Sequence, residues 1–216
     1  KQGVILPSYT ASKELNTVGG MVANNSAGEK SLTYGKTERY VQELKVVLQD
    51  GVEYSFKKLH RNELEAKKQQ QNYEGEIYRR GEQLIEDNKN EIKNAEPIVS
   101  KNSAGYGIWN VWHEEHDTFD LTQLFVGSQG TLGIVSEIDI AIVPNNMSRT
   151  LVVAGFSKIE DASGVVEDIL KLAPATIEMV DKHLLEFIEE HYPNQLKGLL
   201  EPPFPEVLLL IEFDDI

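Results

Sequence analysis

The sequence predicts an α+β fold, on three observations. The stretch up to Phe56 is dense in glycine, asparagine and serine between short apolar runs, the pattern of strands joined by tight loops. A stretch rich in Glu, Lys, Gln and Asn, from Arg61 to about Ala95, carries helical spacing. Beyond Pro144, strand and helix patterns alternate, as in a unit that lays helices on one face of a sheet.

In the first stretch the clearest element is a hairpin. Leu44 to Leu48 and Val52 to Phe56 flank Asp50-Gly51, a dipeptide suited to a turn that needs positive φ. In the second, Ile77, Leu84, Ile85 and Ile92 recur every seven or eight residues, which predicts a surface helical excursion over about 61–95. Its polar run Lys67 to Asn72 reads as a solvated helix end or a mobile loop. A loop-rich stretch follows from Pro97 to Asp120, and strand character returns between Leu121 and Pro144, where Ile138, Ile140 and Ile142 alternate with Glu137, Asp139 and Ala141.

Pro144-Asn145-Asn146 ends that strand and is the expected domain boundary, with one domain over 1–146 and the next over 147–216. The second is expected to run as strand Leu151 to Phe156, helix Ile159 to Leu172, strand Thr176 to Val180, helix Lys182 to His191 and strand Val207 to Phe213. Ser157 with Glu160 fits a capping box, Pro174 stops the first helix, and Asp181 suits the cap of the second.

Composition narrows the function. The chain has 216 residues, 40% hydrophobic and 26% charged, enough for a sizeable core. Its 35 acidic and 21 basic residues leave a net charge of -14, which repels nucleic acid and requires any phosphate-bearing ligand to be held by local backbone N–H groups. Cysteine is absent, so disulfides, thiolate metal sites and cysteine-linked flavins have no residues here. No apolar run reaches the length of a transmembrane helix, and the start has no signal-peptide pattern. A cytoplasmic location is expected.

Two segments carry candidate chemistry. The first runs from Leu15 through Thr17-Val18-Gly19-Gly20 to Asn24-Asn25-Ser26-Ala27-Gly28, followed by Tyr34-Gly35. Its glycines let the backbone approach a ligand, and Thr17, Asn24, Asn25 and Ser26 offer neutral hydrogen bonds. Glycine content alone fits a pair of tight turns equally well. The second segment is Asp120 to Glu137, with Gly127, Gly130 and Gly133 three apart at the mouth of a strand. It lacks the G-x-G-x-x-G spacing and precedes a strand, which rules out a Rossmann fingerprint; no Gly-Lys-Ser/Thr makes it a P-loop.

Together the two segments resemble the FAD-linked oxidase family, with its vanillyl-alcohol-oxidase or PCMH type of FAD-binding domain, close to the D-lactate dehydrogenase and glycolate oxidase branch. Thr17 to Gly20, Asn25 to Gly28, Tyr34-Gly35, Val46 to Leu48 before Asp50-Gly51, and Gly127 to Ile134 occur in the family's order. Gly75 to Tyr78 and Lys101 to Tyr106 also look familiar for that branch. The resemblance covers most of residues 12–144. It implies the C-terminal portion of a PCMH-type domain, with a mixed or antiparallel sheet and helices, followed by part of an α+β ferredoxin-like cap domain.

It also implies non-covalent FAD. The cofactor would be lined by Ser12, Asn16, Thr17, Gly19, Gly20, Asn24, Asn25, Ser26, Ala27 and Gly28 on one wall, and by Gly130, Thr131, Gly133, Ile134 and Val135 on the other. The parent protein would oxidise a small D-2-hydroxy acid by hydride transfer to FAD, and could be peripheral to a membrane. Gln129 stands where the family commonly has Glu, which removes a carboxylate role there. The family's earlier phosphate-binding loop and its later histidine-bearing catalytic part are expected outside this chain, leaving it an excised middle with weak FAD binding and no turnover. The competing expectation is a non-catalytic subunit that needs a partner to hold the flavin.

His113-Glu114-Glu115-His116 has its histidines three apart and does not fit the H-E-x-x-H metal motif; it reads as a polar loop. Trp109, Trp112 and Tyr106 read as a packed cluster under a loop. Asn102-Ser103-Ala104-Gly105 repeats the tetrapeptide at 25–28 and is expected to share its turn chemistry.

Overall fold

The computed structural model describes residues 3–99, 101–145 and 148–214. The chain divides into two compact units. The larger holds residues 6–28 and 35–143; the smaller holds the described residues of 1–5, 29–34 and 144–216. The expected boundary at 146 and 147 lies outside the described residues. Segment 29–34, placed by sequence within the first domain, clusters with the smaller unit.

In chain order the first elements are β1 (Val4–Ile5), α1 (Val18–Ala23) and α2 (Ser31–Tyr34). The hairpin follows as β2 (Val41–Val47) and β3 (Glu53–Lys57), paired antiparallel with Val46 opposite Tyr54. Gly51 takes φ +77, and the Asp50 side chain accepts from the Val52 N–H at 3.1 Å, so each residue of the turn dipeptide has a distinct role. Next come β4 (Leu59–His60), α3 (Arg61–Lys68), α4 (Tyr73–Asp87) and α5 (Lys89–Ala95). Asn72 caps α4 by accepting from the Gly75 N–H at 2.9 Å.

This helical stretch is more than a surface excursion. Leu64 and Tyr78 are fully buried, and Ile85 nearly so, in one core with Leu44, Val46, Phe56 and Phe119. Nor is 67–72 a loose loop: the Arg79 guanidinium donates to the carbonyls of Lys68 and Gln70, and Lys68 pairs with Glu65 and Glu82. Gly81 of α4 faces Phe119 and Leu121, where a Cβ would make ordinary van der Waals contact at 3.6 Å.

The larger unit closes with β5 (Trp112–His113), β6 (Thr118–Phe119), α6 (Thr122–Phe125) and β7 (Ile134–Ile140). Its sheets run β3-β2-β7 and β4-β6-β5, all antiparallel. The register of β2 on β7 shifts twice, with one extra residue in β2 between Val41 and Glu43 and one in β7 between Val135 and Glu137. Trp112 packs edge-on to Phe119, but Tyr106 is 44% exposed and bonds Thr131, so it does not join the packed cluster expected of Trp109, Trp112 and Tyr106.

β8 (Val143–Pro144) leads to β9 (Arg149–Phe156), α7 (Ile159–Leu170), β10 (Thr176–Asp181), α8 (Lys182–His191) and β11 (Val207–Asp214). The sheet order β10-β11-β9 is antiparallel and puts the last strand in the middle, a split β-α-β arrangement. Asp181 caps α8, accepting from the Leu184 N–H at 2.8 Å. Ser157 does not cap α7: the cap position falls on Lys158, one residue later.

The helices do not share one face of this sheet. Val207, Leu209 and Ile211 of β11 join Ala162 of α7 in one cluster, while Leu208 joins Leu185 of α8 in another. An unbroken apolar run from Val207 to Ile211 makes both faces of a central strand worth covering.

Candidate functional site

The first predicted wall is built on α1. Thr17 stands at the N-cap with extended backbone, and its Oγ1 accepts from the Gly20 N–H at 3.0 Å. The helix ends at Asn24, and the chain reverses at Asn25, whose φ of 45° is reached by few residues other than glycine and asparagine. Asn25 is held there by its carboxamide, which accepts from the Glu38 N–H at 3.1 Å and donates to the Glu38 carboxylate. The Ser26 carbonyl accepts from both the N–H and the hydroxyl of Thr37. At Gly28 a side chain is excluded, because a Cβ would lie 1.8 Å from the Tyr9 carbonyl oxygen.

The second wall is joined to the first through backbone. The Gly127 N–H donates to the Val22 carbonyl at 2.9 Å, and the Gln129 N–H to the Ala23 carbonyl at 3.0 Å. Both are last-turn carbonyls of α1, and that of Val22 also accepts from the Asn25 N–H at 3.1 Å. Gly127, Gln129 and Gly130 all take positive φ, so the loop coils back under the helix end. Thr131 Oγ1 donates to the Ser128 carbonyl at 2.6 Å, and its oxygen meets the Tyr106 hydroxyl at 2.9 Å. Gly133 lies flush against β2, where a Cβ would meet Val46 Cγ1 at 2.6 Å and the Val47 carbonyl at 2.9 Å.

The predicted residues therefore sort into two groups. Thr17, Gly19, Asn24, Gly130, Thr131 and Ile134 are exposed, and beside Gly19 and Gly130 the space a Cβ would take is open. Asn25, Ser26, Gly28 and Gly133 have packing or hydrogen-bonding duties inside the protein, Gly20 lies against the Thr17 hydroxyl, Val135 is half-buried opposite Val46 in the sheet, and Ala27 is half-buried. Ser12 and Asn16 belong to a self-contained turn in which Asn16 donates to Thr10 Oγ1 at 2.6 Å and the Ser12 carbonyl accepts from the Asn16 N–H at 3.0 Å.

Three partners of the walls were not among the predicted lining residues. Ser103 donates to the Asn25 carbonyl at 3.0 Å, Tyr106 meets Thr131, and Lys36 donates to the Asn102 carbonyl while pairing with Glu38. The repeated Asn-Ser-Ala-Gly tetrapeptide was the available signal, but its two copies are not the same turn. The left-handed residue is Asn25 in the first and Gly105 in the second, where Asn102 instead accepts from the Ala104 N–H. What the copies share is location, through the Ser103 bond to Asn25.

The walls offer neutral donors and open backbone, with no histidine or carboxylate in 17–28 or 127–135. The neighbouring Glu38 is engaged by Asn25 and Lys36. A cleft of about 390 Å3 is lined by Glu38, Arg39, Lys58, His113, Asp120 and Gln123, among others. Burial, and then the charge of Lys58, push the His113 imidazole below its ordinary value, so it favours the neutral form. Among the described residues no group of three His, Asp or Glu side chains could hold a metal ion, and no helix is long and apolar enough to cross a membrane.

Residues 1–56 match the FAD binding domain family, which identifies FAD as the cofactor of this segment. The chain is 31% identical over 215 residues to the glycolate oxidase subunit GlcD of Bacillus subtilis (strain 168), across 99% of this chain and 34% of that protein. It is 27% identical over 205 residues to D-lactate dehydrogenase of Anaerostipes hadrus, across 92% of this chain and 32% of that protein. Among solved structures, an alkyldihydroxyacetonephosphate synthase superposes with a TM-score of 0.56 at 18% identity, over 99% of this chain and 31% of its own. The chain thus spans about a third of the length of these two relatives. Its first 56 residues thus match an FAD binding domain, its sequence is similar to parts of a glycolate oxidase subunit and a D-lactate dehydrogenase, and its α+β fold is similar to part of an alkyldihydroxyacetonephosphate synthase.

Proposed function

Starting from these likenesses, we propose that this chain lines the flavin of an FAD-dependent oxidoreductase whose substrate is a small D-2-hydroxy acid. The observation that carries the proposal is the join between the two glycine segments, Gly127 to Val22 and Gln129 to Ala23, inside a chain whose first 56 residues match an FAD binding domain. When bound, FAD supplies the redox chemistry, accepting a hydride equivalent from the hydroxy acid.

The chain's own residues hold and shape the site. Thr17, Gly19, Asn24, Gly130, Thr131 and Ile134 face the cofactor, and Asn25, Ser26, Gly28 and Gly133 keep those residues in place. Neutral donors suit an uncharged ring edge and a pyrophosphate in a protein that carries a net charge of -14. Ile134, 72% exposed, offers apolar surface beside them. The walls themselves hold no histidine and Glu38 is already engaged, so these two segments supply no free general base.

Gly19→Ala tests this reading. At an exposed helical position with open space, alanine should hold or raise stability by about 0.5–1 kcal/mol. FAD affinity, followed by quenching of flavin fluorescence, should fall several-fold. Unchanged FAD affinity would remove Gly19 from the cofactor wall, and a whole protein that binds no FAD would sink the assignment. In a dye-reduction assay the whole protein should oxidise D-lactate or glycolate while this 216-residue stretch alone does not; turnover by the stretch alone would show that the catalytic groups lie within it.

A further inference from the structure

We propose that the cleft lined by Arg39, Lys58 and His113 is a binding site for a small dianionic oxyanion, a phosphate or a dicarboxylate. This site is independent of the flavin reading and goes beyond it. The whole lining lies within the larger unit, and the volume of about 390 Å3 falls in the usual range of small-molecule sites, about 300–1,000 Å3. The cleft holds two acids and two strong cations, and their charges are not spent alike. The buried Asp120 carboxylate accepts from the Thr122 N–H at 3.0 Å and from the Thr122 hydroxyl at 2.6 Å. Glu38 accepts from Asn25 and pairs with Lys36. The cations have no such partners: among the described residues, neither the Arg39 guanidinium nor the Lys58 ammonium has a carboxylate or a side-chain hydrogen bond. In a chain with 35 acidic and 21 basic residues, two unspent cations on one cleft make a local seat for an anion.

Arg39 is also held in place without being paired. A Cβ at Gly35 would lie 2.5 Å from Arg39 Nε and 2.7 Å from Arg39 Cζ, so the guanidinium rests on bare backbone that only glycine leaves open, at φ +72. A side chain placed in advance loses less freedom when its ligand arrives, and a guanidinium meets a phosphate or carboxylate through two parallel hydrogen bonds. Lys58 stands on the other side of the same lining, directly before β4, and its charge reaches His113. The imidazole, held neutral there, brings a hydrogen-bonding group without a second carboxylate, and Asn110 brings a carboxamide. Thr118 is the cross-strand partner of His113 and shares its face of the sheet. Its buried hydroxyl has no hydrogen-bond partner, an unspent polar group beside the cleft. Two separated cations suit a ligand with two negative charges better than one with a single charge.

The chain's two tryptophans, Trp109 and Trp112, are the immediate neighbours of Asn110 and His113, so their fluorescence reports on this cleft. The full 216-residue chain is titrated with inorganic phosphate and, separately, with succinate, at an ionic strength held constant with sodium chloride. A saturable change is expected with one anion or both, and the anion that saturates at the lower concentration tells whether the site takes a phosphate or a dicarboxylate. Arg39→Gln and Lys58→Gln should each raise the dissociation constant about fivefold or more, the loss of one charge-assisted contact. Lys197→Gln, which removes a cation from the smaller unit, should leave it unchanged. No saturable change with either anion overturns the proposal, as does an unchanged constant in either cleft variant. Equal weakening in all three variants also overturns it, because the anion would then be reading the overall charge of the chain. If one cleft variant lowers the midpoint of urea unfolding and is lost, the other decides alone. No step of the test requires FAD, so its outcome stands whether or not the flavin reading holds.

Discussion

Gly28 sits where a methyl group would meet the Tyr9 carbonyl oxygen at 1.8 Å, with the Tyr9 carbonyl carbon at 2.9 Å and Thr10 Cα at 3.2 Å. None of these is the end of a flexible side chain, so one backbone must move. Gly28→Ala should destabilise the larger unit by about 1–3 kcal/mol, the usual range for forcing atoms into a packed interior, as read from urea denaturation. A stability within error of the unaltered chain would mean that the Tyr9 loop yields at no cost. Together with Gly19→Ala, it separates the two uses of glycine in one motif: one position is bare because protein fills the space, the other because the space is left open. Sequence marks both as glycine and cannot tell them apart. The same holds for Asn25, legible as a polar wall residue, whose carboxamide is in fact consumed by Glu38, 13 residues on.

At the scale of elements, local signals decided some helix starts and not others. Asp181 accepts from Leu184 three residues later, and α8 begins at Lys182 as its pattern predicts. Asp181→Ala should cost about 1 kcal/mol, seen as a lowered midpoint for the smaller unit in thermal or urea unfolding. No change in that midpoint would mean that the Leu184 N–H finds water at no cost. Ser157 carried an equally good local signal and lost, because α7 starts after Lys158. The helical stretch 61–95 was legible as helix but not as core. Leu64, Tyr78 and Ile85 are buried by strands on either side of them in sequence, and only assembly brings Phe56 and Phe119 to them. The two-sided burial of β11 was written in its five consecutive apolar residues, a signal that outweighs the one-face expectation for an α+β sheet.

Over the whole molecule, both units are set to lose stability in alkali. Burial alone would lower the Lys30 value, but its hydrogen bonds and charge interactions with Asp214 and Glu212 outweigh this and raise it above the ordinary 10.5. Burial, chiefly, pushes the Tyr78 phenol well above its ordinary 10. For a raised lysine or tyrosine the folded state keeps its proton longer than the unfolded one. The stabilisation is therefore intact below the unfolded value and is lost as pH climbs through the folded one. Unfolding free energy should hold below about pH 10 and fall above it, and Lys30→Met should flatten that fall for the smaller unit. A stability that stays level from pH 9 to 11.5 would contradict both assignments. From the sequence alone came the α+β class, the hairpin at Asp50-Gly51, the strand and helix order after Pro144, and the likeness to an FAD binding domain, because each rests on spacing between near neighbours or on motif order. Only the tertiary structure decided which wall residues are open, that 127–129 bond the end of α1, and that 29–34 is held by Lys30 on β11, because hydrogen bonds and steric fit between distant segments exist only once the chain has closed on itself.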